Sequence, residues 1–440
     1  MNKNANEWKH AVVLGAAGKM GSGIALSLLQ EMSEMKERAV LTLLDVDFDR
    51  FDGLKKYLRD HFLKFAERSI NRLRVKYAHR DDLIDNSEII DVFVAETMDQ
   101  VRFVTSPSEC RGAQYIFEAI AEDVEIKTGI FKQIISYVDP QAYFFTNTSS
   151  IPISVLEQKS QLEGRIIGFH FYNPPAVQKL LEIISPNRCE PGLKQAAFDL
   201  AKRLGKVIVP SHDIAGFIGN GHFIREILGA CKQVRQLQSQ LSSVGALYAI
   251  NWVTQELLLR PMGIFQLVDY VGLDVCQHIG SIMTHYLTPH IFTDDLIARM
   301  LKKGIRGGQN PDGSQRDGFF HYEKGKPVAI YDFEKDIYIS CSNHEPIAHL
   351  KEAFVKPEND LSWKALSKDP RRQERIAHYF PKLFQQDDLG AELARRFLNE
   401  SKDIAYGLVR DGVANSVADV DTVLQYGFFH LYGVDQPFED

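Results

Sequence analysis

One histidine and one glutamate stand in the run GFHFYNPPAVQKLLEII, Gly168 to Ile184, which otherwise reads as buried β-structure. Read alone, His170 is a satisfied core residue, a metal ligand, or a base held for a substrate. A neutral imidazole suits the last role, because it takes up a proton near neutral pH. Glu182 interrupts LLEII, where a carboxylate without a partner is unfavourable. The Asn-Pro-Pro connection reverses the chain between the two, so they are expected on neighbouring strands. A carboxylate on one ring nitrogen would fix the tautomer and stabilise the imidazolium. Metal ligation by His170 lacks a second clustered ligand, and no metal site is expected. HEPIAH, His344 to His349, looks superficially like the zinc helix HExxH. Its histidines are five apart and Pro346 lies between them, so it fails as one.

A second group of residues speaks of phosphate. VVLGAAGKMGSGIA places Gly15, Gly18, Gly21 and Gly23 between a strand and a helix. Gly15 and Gly18 permit a tight turn and close backbone approach to a pyrophosphate, and the helix N-terminus beyond them supplies unpaired N–H groups. The spacing GxxGxxG is one residue longer than the usual GxGxxG. A glycine-rich turn that only lets strand and helix pack is the alternative. Asp45 ends the second strand, where an acid meets the adenosine ribose hydroxyls, or else caps the next helix. Asp47 and Asp49 follow it, and the first nearby arginine is Arg50. A 2′-phosphate would be repelled there, so NAD is expected over NADP.

The elements needed to position these groups follow from apolar periodicity. HAVVLG, AVLTLLD, IIDVFVAE, QYIFEAIAE, AYFFTNTSS and RIIGFHF read as short buried strands. GKMGSGIALSLLQEM, FDRFDGLKKYLRDHFLKFAERSINRLRVKY and VEIKTGIFKQIISYV read as helices between them. That alternation predicts an α/β class, with an N-terminal doubly wound parallel sheet of Rossmann type. After Val209-Pro210 helix follows helix and no strand alternation returns. An all-α C-terminal region is therefore expected, with domains at 1–210, 211–330 and 331–440. RGGQNPDGSQRDG reads as a loop and KPENDLSWKALSKDPRRQER as a surface connection.

Bulk properties narrow the classes. The net charge of −7 disfavours a general nucleic-acid binder, which needs a basic face. Five scattered cysteines, without a CxxC pair, argue against a disulfide framework and fit a reducing compartment. The N-terminus lacks a signal-peptide pattern, and no run of about 18 apolar residues reads as a membrane span. A cytoplasmic location is expected.

By its motifs the chain resembles the L-3-hydroxyacyl-CoA dehydrogenase family of fatty-acid oxidation. FEAIAEDVEIK, TNTSSI, GFHFYNPPAVQKLLEII and DIAGFIGN occur in the family's order and separations, and RPMGIFQLVDYVGLD resembles the start of its helical dimerisation domain. Together they cover roughly residues 10 to 280. KGIRGGQNPDGSQRDGFFHYEKG resembles the glycine-rich end of that domain with an insertion. The last hundred residues resemble a degenerate second helical repeat, as in the fused oxidation enzymes. The chain departs from the family at Ala215, where Pro is usual, at Gly221, where Arg is usual, and at Gln178, where Met is common. Residues 78 to 112 are longer and more acidic.

The resemblance implies NAD-dependent, reversible oxidation of an L-3-hydroxyacyl-CoA to the 3-ketoacyl-CoA, in β-oxidation or short-chain acyl-CoA metabolism. It implies His170 as general base, Glu182 as its partner, and Ser149 and Asn220 orienting the reacting oxygen and the thioester carbonyl. Cofactor contacts would come from Gly15, Gly18, Lys19, Met20, Gly21, Asp45, Glu122, Lys127 and Asn147. Acyl-CoA would lie in a cleft between the cofactor domain and the helical one. Arg72 and Lys76, in a basic run with Arg68 and Arg74, either meet the phosphates of CoA or belong to a solvated helix face. A homodimer is expected, as is association with a thiolase or enoyl-CoA hydratase. Two competitors stand beside this reading: a dehydrogenase of a non-CoA 3-hydroxy acid, and a catalytically silent NAD-binding relative with a structural or regulatory role.

Overall fold

AVVL of β1 (His10–Leu14) is buried at every residue, so both faces of this strand are covered, as in parallel sheets packed by helices. The computed structural model describes residues 9–35, 37–310, 312–342, 347, 349–350, 353–358 and 360–435. His344, Glu345 and Pro346 of HEPIAH thus lie outside the described residues. The chain divides into two compact units, Met1–Asp213 and Ile214–Asp440.

In the first unit β1 is followed by α1 (Lys19–Glu34), β2 (Val40–Leu44), α2 (Arg50–Arg68), α3 (Ile70–Lys76) and α4 (Asn86–Met98). Then come β3 (Val101–Val104), β4 (Tyr115–Glu118), α5 (Val124–Ile134), β5 (Tyr143–Thr146) and α6 (Ile153–Ser160). The unit closes with β6 (Ile166–Phe171), β7 (Leu180–Ile184), α7 (Pro191–Arg203) and β8 (Val207–Ser211). The strands form one sheet in the order β3-β2-β1-β4-β5-β6-β7-β8. All neighbours are parallel except β6 and β7, which run antiparallel with His170 directly opposite Glu182. The order reverses between β1 and β4, and ligands of doubly wound sheets bind beyond the carboxyl ends of strands at such a switch point.

One strand expectation fails here. IIDVFVAE lies in α4, and the third strand is the later VRFV. A short apolar run does not by itself separate strand from helix. Asp85 and Glu88 form a capping box that starts the helix, and Ile89, Phe93, Val94 and Thr97 make its buried stripe.

The second unit begins with α8 (Gly219–Leu237), α9 (Ser243–Trp252), a π-helical turn at Val253–Leu257, α10 (Ile264–Val271), α11 (Leu273–Tyr286) and α12 (Asp295–Lys302). Gly272, at φ +110°, separates α10 from α11. A three-stranded antiparallel sheet then interrupts the expected all-α region, with β9 (Phe320–Glu323), β10 (Lys326–Asp332) and β11 (Ile337–Ser340). Lys324 and Gly325 turn its first hairpin with φ of +49° and +75°, the two-residue geometry that fits strand twist. Helices Arg372–Phe384, Leu389–Arg410 and Val417–Gly427 follow. The expected boundary near 330 meets a shared core instead: Ile227, Leu247 and Phe265 belong to one apolar cluster with Ile376, Tyr379 and Leu398.

Candidate active site

The glycine loop sits at the switch point and is built around missing side chains. Gly15 has φ +73°, and a Cβ there would meet the Ala119 carbonyl oxygen at 2.8 Å and Ile120 Cγ2 at 2.9 Å. A Cβ on Gly21 would fall on the Gly15 carbonyl. Gly18 is the N-cap of α1, so the first-turn amides beside Lys19 and Met20 have no capping side chain. This cradle fits a pyrophosphate, which would take those amides and the positive end of the helix dipole. Asp45 is buried at the end of β2, and its Oδ2 accepts from the Ala17 amide at 2.9 Å. Arg50 donates to the Ala17 carbonyl at 3.0 Å and lies 3.8 Å from Asp45. The acid therefore braces the loop it was expected to serve.

Beyond β4 and β5 a second set of charges converges. Lys127 Nζ, fully buried on α5, reaches Glu118 at 2.6 Å and Glu122 at 3.3 Å. Glu122 Oε1 accepts from the Thr148 hydroxyl (2.7 Å), the Ser149 amide (2.8 Å) and the Ser150 amide (3.0 Å), with Ser149 Oγ at 3.3 Å. Burial would push the Glu122 carboxyl up, but Lys127, Thr148 and the Ser149 amide together hold it below its usual range. Burial likewise opposes the Lys127 ammonium, and the charges of Glu118 and Glu122 outweigh it, so its pKa is raised. Glu118 closes the cluster from β4, accepting from Thr146 Oγ1 at 2.6 Å.

The histidine and glutamate of the opening motif meet. His170 Nδ1 lies 3.0 Å from Glu182 Oε2, with Glu182 fully buried and His170 nearly so. A carboxylate on Nδ1–H places the ring's lone pair on Nε2, the arrangement a general base requires. Tyr172 donates its hydroxyl to the same Glu182 oxygen at 2.8 Å. Asn147 Oδ1 accepts the Phe171 amide at 2.8 Å and ties the end of β5 to β6 beside the histidine. Lys206 Nζ donates to the carbonyls of Pro175 (2.5 Å) and Gln178 (2.7 Å), clasping the Asn-Pro-Pro connection, and burial pushes its pKa down to about 8. Asp213 accepts the amides of Ile153 (2.5 Å) and Ser154 (2.8 Å) at the start of α6.

Asn220 belongs to the second unit, in the first turn of α8. Beside it, a Cβ on Gly221 would meet Leu408 Cδ2 at 3.2 Å, so the glycine lets helix Leu389–Arg410 pack closely. Ala215 is buried in the same apolar cluster. Arg72 and Lys76 are engaged on α3: Arg72 pairs with Glu34 at 2.6 Å, and Lys76 donates to the Ser33 carbonyl at 3.0 Å. A phosphate at Arg72 would have to compete with that carboxylate. Glu118, Thr148, Tyr172, Lys206 and Asp213 were not singled out from sequence. Only Glu118 carried a signal, an acid inside the buried strand YIFE, nine residues before a lysine.

The family model described as "3-hydroxyacyl-CoA dehydrogenase, NAD binding domain" matches residues 10–214, and "3-hydroxyacyl-CoA dehydrogenase, C-terminal domain" matches residues 216–316. A 3-hydroxybutyryl-CoA dehydrogenase of Mycobacterium tuberculosis is 28% identical over 300 residues, covering 68% of this chain and 94% of that protein. The human mitochondrial hydroxyacyl-coenzyme A dehydrogenase is 28% identical over 272 residues, 62% of this chain and 78% of that one. The crystal structure of 3-hydroxybutyryl-CoA dehydrogenase from Escherichia coli K12 shares the fold at a TM-score of 0.64 and 19% identity. It spans 98% of this chain and 90% of its own.

Proposed function

The chain belongs to the 3-hydroxyacyl-CoA dehydrogenase family, and from that premise we propose that His170 and Glu182 act as the general-base pair of its reaction. It is an NAD-dependent oxidoreductase that interconverts a 3-hydroxyacyl-CoA and the 3-ketoacyl-CoA. The contact between His170 and Glu182 on paired strands is the observation that carries the assignment. NAD, when bound, would supply the hydride acceptor for C3 of the substrate. The chain's own part is the proton: the substrate hydroxyl gives it to Nε2, and Glu182 stabilises the imidazolium through Nδ1–H. A positioned base of this kind contributes about 10²–10⁴-fold in rate.

In this reading Gly15, Gly18, Lys19, Met20 and Gly21 hold the pyrophosphate, and Asp45 meets the ribose hydroxyls. Glu122, Lys127 and Asn147 organise the wall beside the nicotinamide. Ser149, held by Glu122 through its amide, and Asn220 orient the reacting oxygen and the thioester carbonyl. β-Oxidation or short-chain acyl-CoA metabolism, in the cytoplasm, is the setting proposed. Five scattered cysteines without a CxxC pair support a reducing compartment, and among the described residues no helix is long and apolar enough to cross a membrane. A homodimer, and association with a thiolase or hydratase, are proposed with one restriction: α8 is already packed by helix Leu389–Arg410 of its own chain, so a second copy would use another face.

An assay of NADH oxidation across C4 to C16 3-ketoacyl-CoA substrates tests the reading. Turnover should be seen in the wild type and lost in His170→Gln with NADH binding kept. Near-wild-type reduction of acetoacetyl-CoA by that variant would refute the base assignment.

A further inference from the structure

His170 and Glu182 face each other across the β6–β7 ladder, and Tyr172 follows one residue beyond the end of β6. Register sets Glu182 opposite His170, and the Tyr172 side chain meets the same carboxylate from the connection after β6. The Tyr172 ring lies 4.8 Å from the imidazole, centroid to centroid, at an interplanar angle of 41°. Its hydroxyl reaches the very oxygen, Glu182 Oε2, that receives the imidazole Nδ1. We propose that Tyr172 is a positioning residue, whose hydroxyl pins the Glu182 carboxylate and whose ring sets the plane of His170. This inference rests on the base-pair reading above and extends it to a third side chain.

Geometry and charge favour the arrangement. A carboxylate buried this deeply needs more than one donor to remain satisfied. Burial, reinforced by the charge of Glu182, pushes the Tyr172 phenol well above its ordinary range, so it acts as a donor throughout. Two donors on one oxygen share its charge, so the phenol tempers the pull of the carboxylate on Nδ1–H. It also stops the carboxylate from turning about its last torsion, which would carry the imidazole away from its working orientation.

Two measurements on the full-length protein test this. The first is the far-downfield Nδ1–H proton resonance of His170, assigned by its loss in His170→Gln. In Tyr172→Phe it should move further downfield, because the carboxylate oxygen is no longer shared. The second is a kinetic cycle in which Tyr172→Phe lowers kcat by about three- to tenfold, leaves KM for NADH unchanged, and adds nothing in a Glu182→Gln background. An unmoved resonance, or a kcat loss that persists in full beside Glu182→Gln, overturns the proposal. The resonance needs no turnover: a shift in a protein inactive on every 3-ketoacyl-CoA would sink the functional reading and leave the tyrosine's role standing.

Discussion

Glu182 and Glu226 are both buried glutamates beside a histidine, one in each unit, and they are satisfied by opposite means. Glu182 meets an imidazole and a phenol. Glu226, on α8, has each of its oxygens taken by Arg260 (3.1 and 3.0 Å), and Ser401 Oγ donates at 2.7 Å. His222 touches only the edge of that second cluster, with Nε2 at 3.3 Å from Ser401 Oγ. A carboxylate neutralised by a permanent cation has little charge left to lend to a histidine, whereas one held by neutral donors can stabilise an imidazolium as it forms. Exposure separates them further: His170 keeps 7% of its surface and His222 none. Burial, opposed by the charge of Glu226 and aided by that of Arg260, lowers the His222 pKa below its usual value. The first cluster is arranged to change charge, and the second to hold it fixed across α8, the turn after α9 and helix Leu389–Arg410.

The sharpest break between them should be in turnover. His170→Gln is expected to lower kcat by about 10²–10⁴-fold, with little change in thermal stability. His222→Gln should leave kcat intact and lower Tm. Equal losses of turnover in the two variants would erase the distinction.

The carboxylates should divide in the opposite sense. Glu226→Gln leaves Arg260 buried without its counter-ion, a loss of about 3–5 kcal/mol, read as a lowered unfolding midpoint. Glu182→Gln should chiefly reduce kcat. The ion pair also fixes a pH window. Burial would raise the Glu226 pKa, but Arg260, with His222 and His430, carries it down to about 2 from an ordinary value near 4.5. A carboxyl depressed in the folded state stabilises above its unfolded pKa and loses that stability as pH falls through the folded one. Urea unfolding followed by tryptophan fluorescence, to which Trp252 and Trp363 of the second unit contribute, should weaken between about pH 4.5 and 2. The window should disappear in Glu226→Gln. Unchanged acid sensitivity in that variant would assign it to other groups.

The same contrast explains what was legible in the sequence. His170 and Glu182 lie 12 residues apart on strands joined by one turn, so alternation and a reversal signal suffice to pair them. The glycine turn is legible for the same reason, since the positive φ of Gly15 and the close approach at Gly21 demand glycine, whereas the bond of Asp45 to the Ala17 amide has no sequence signal. Glu226, Arg260 and Ser401 are separated by 34 and 141 residues (226 to 260, 260 to 401), and no periodicity brings them together. Tyr172, one residue past β6, carries no sequence signal of its own, and only its contact with Glu182 gives its hydroxyl a place. α4 carries its start signal in DNSE, but a short apolar run such as IIDVFVAE fits a strand as well as a helix. The outer strands of the small sheet at 320–340 are only partly buried, so they lack the continuous buried apolar run that marks β4 and β5.

The smallest effect tests a third kind of charge, one neither buried nor poised. Arg72 and Glu34 form an exposed pair, with 54% and 43% of their side-chain surfaces accessible. Such pairs contribute about 0–1 kcal/mol, so Arg72→Ala should barely shift Tm. The Arg72 guanidinium also lies 5.3 Å from the Phe65 ring centroid, a packing role consistent with the solvated-face reading. If that is all it does, KM for acetoacetyl-CoA stays within about twofold of wild type, since surface substitutions act weakly. If Arg72 instead meets a CoA phosphate, KM rises while kcat holds, because the lost contact is equally present in ground and transition states. Raised ionic strength should then weaken acyl-CoA binding in the wild type more than in the variant. That outcome would place a surface arginine with Glu182 among the charges that serve the reaction, and the division between working and structural charge would no longer follow burial.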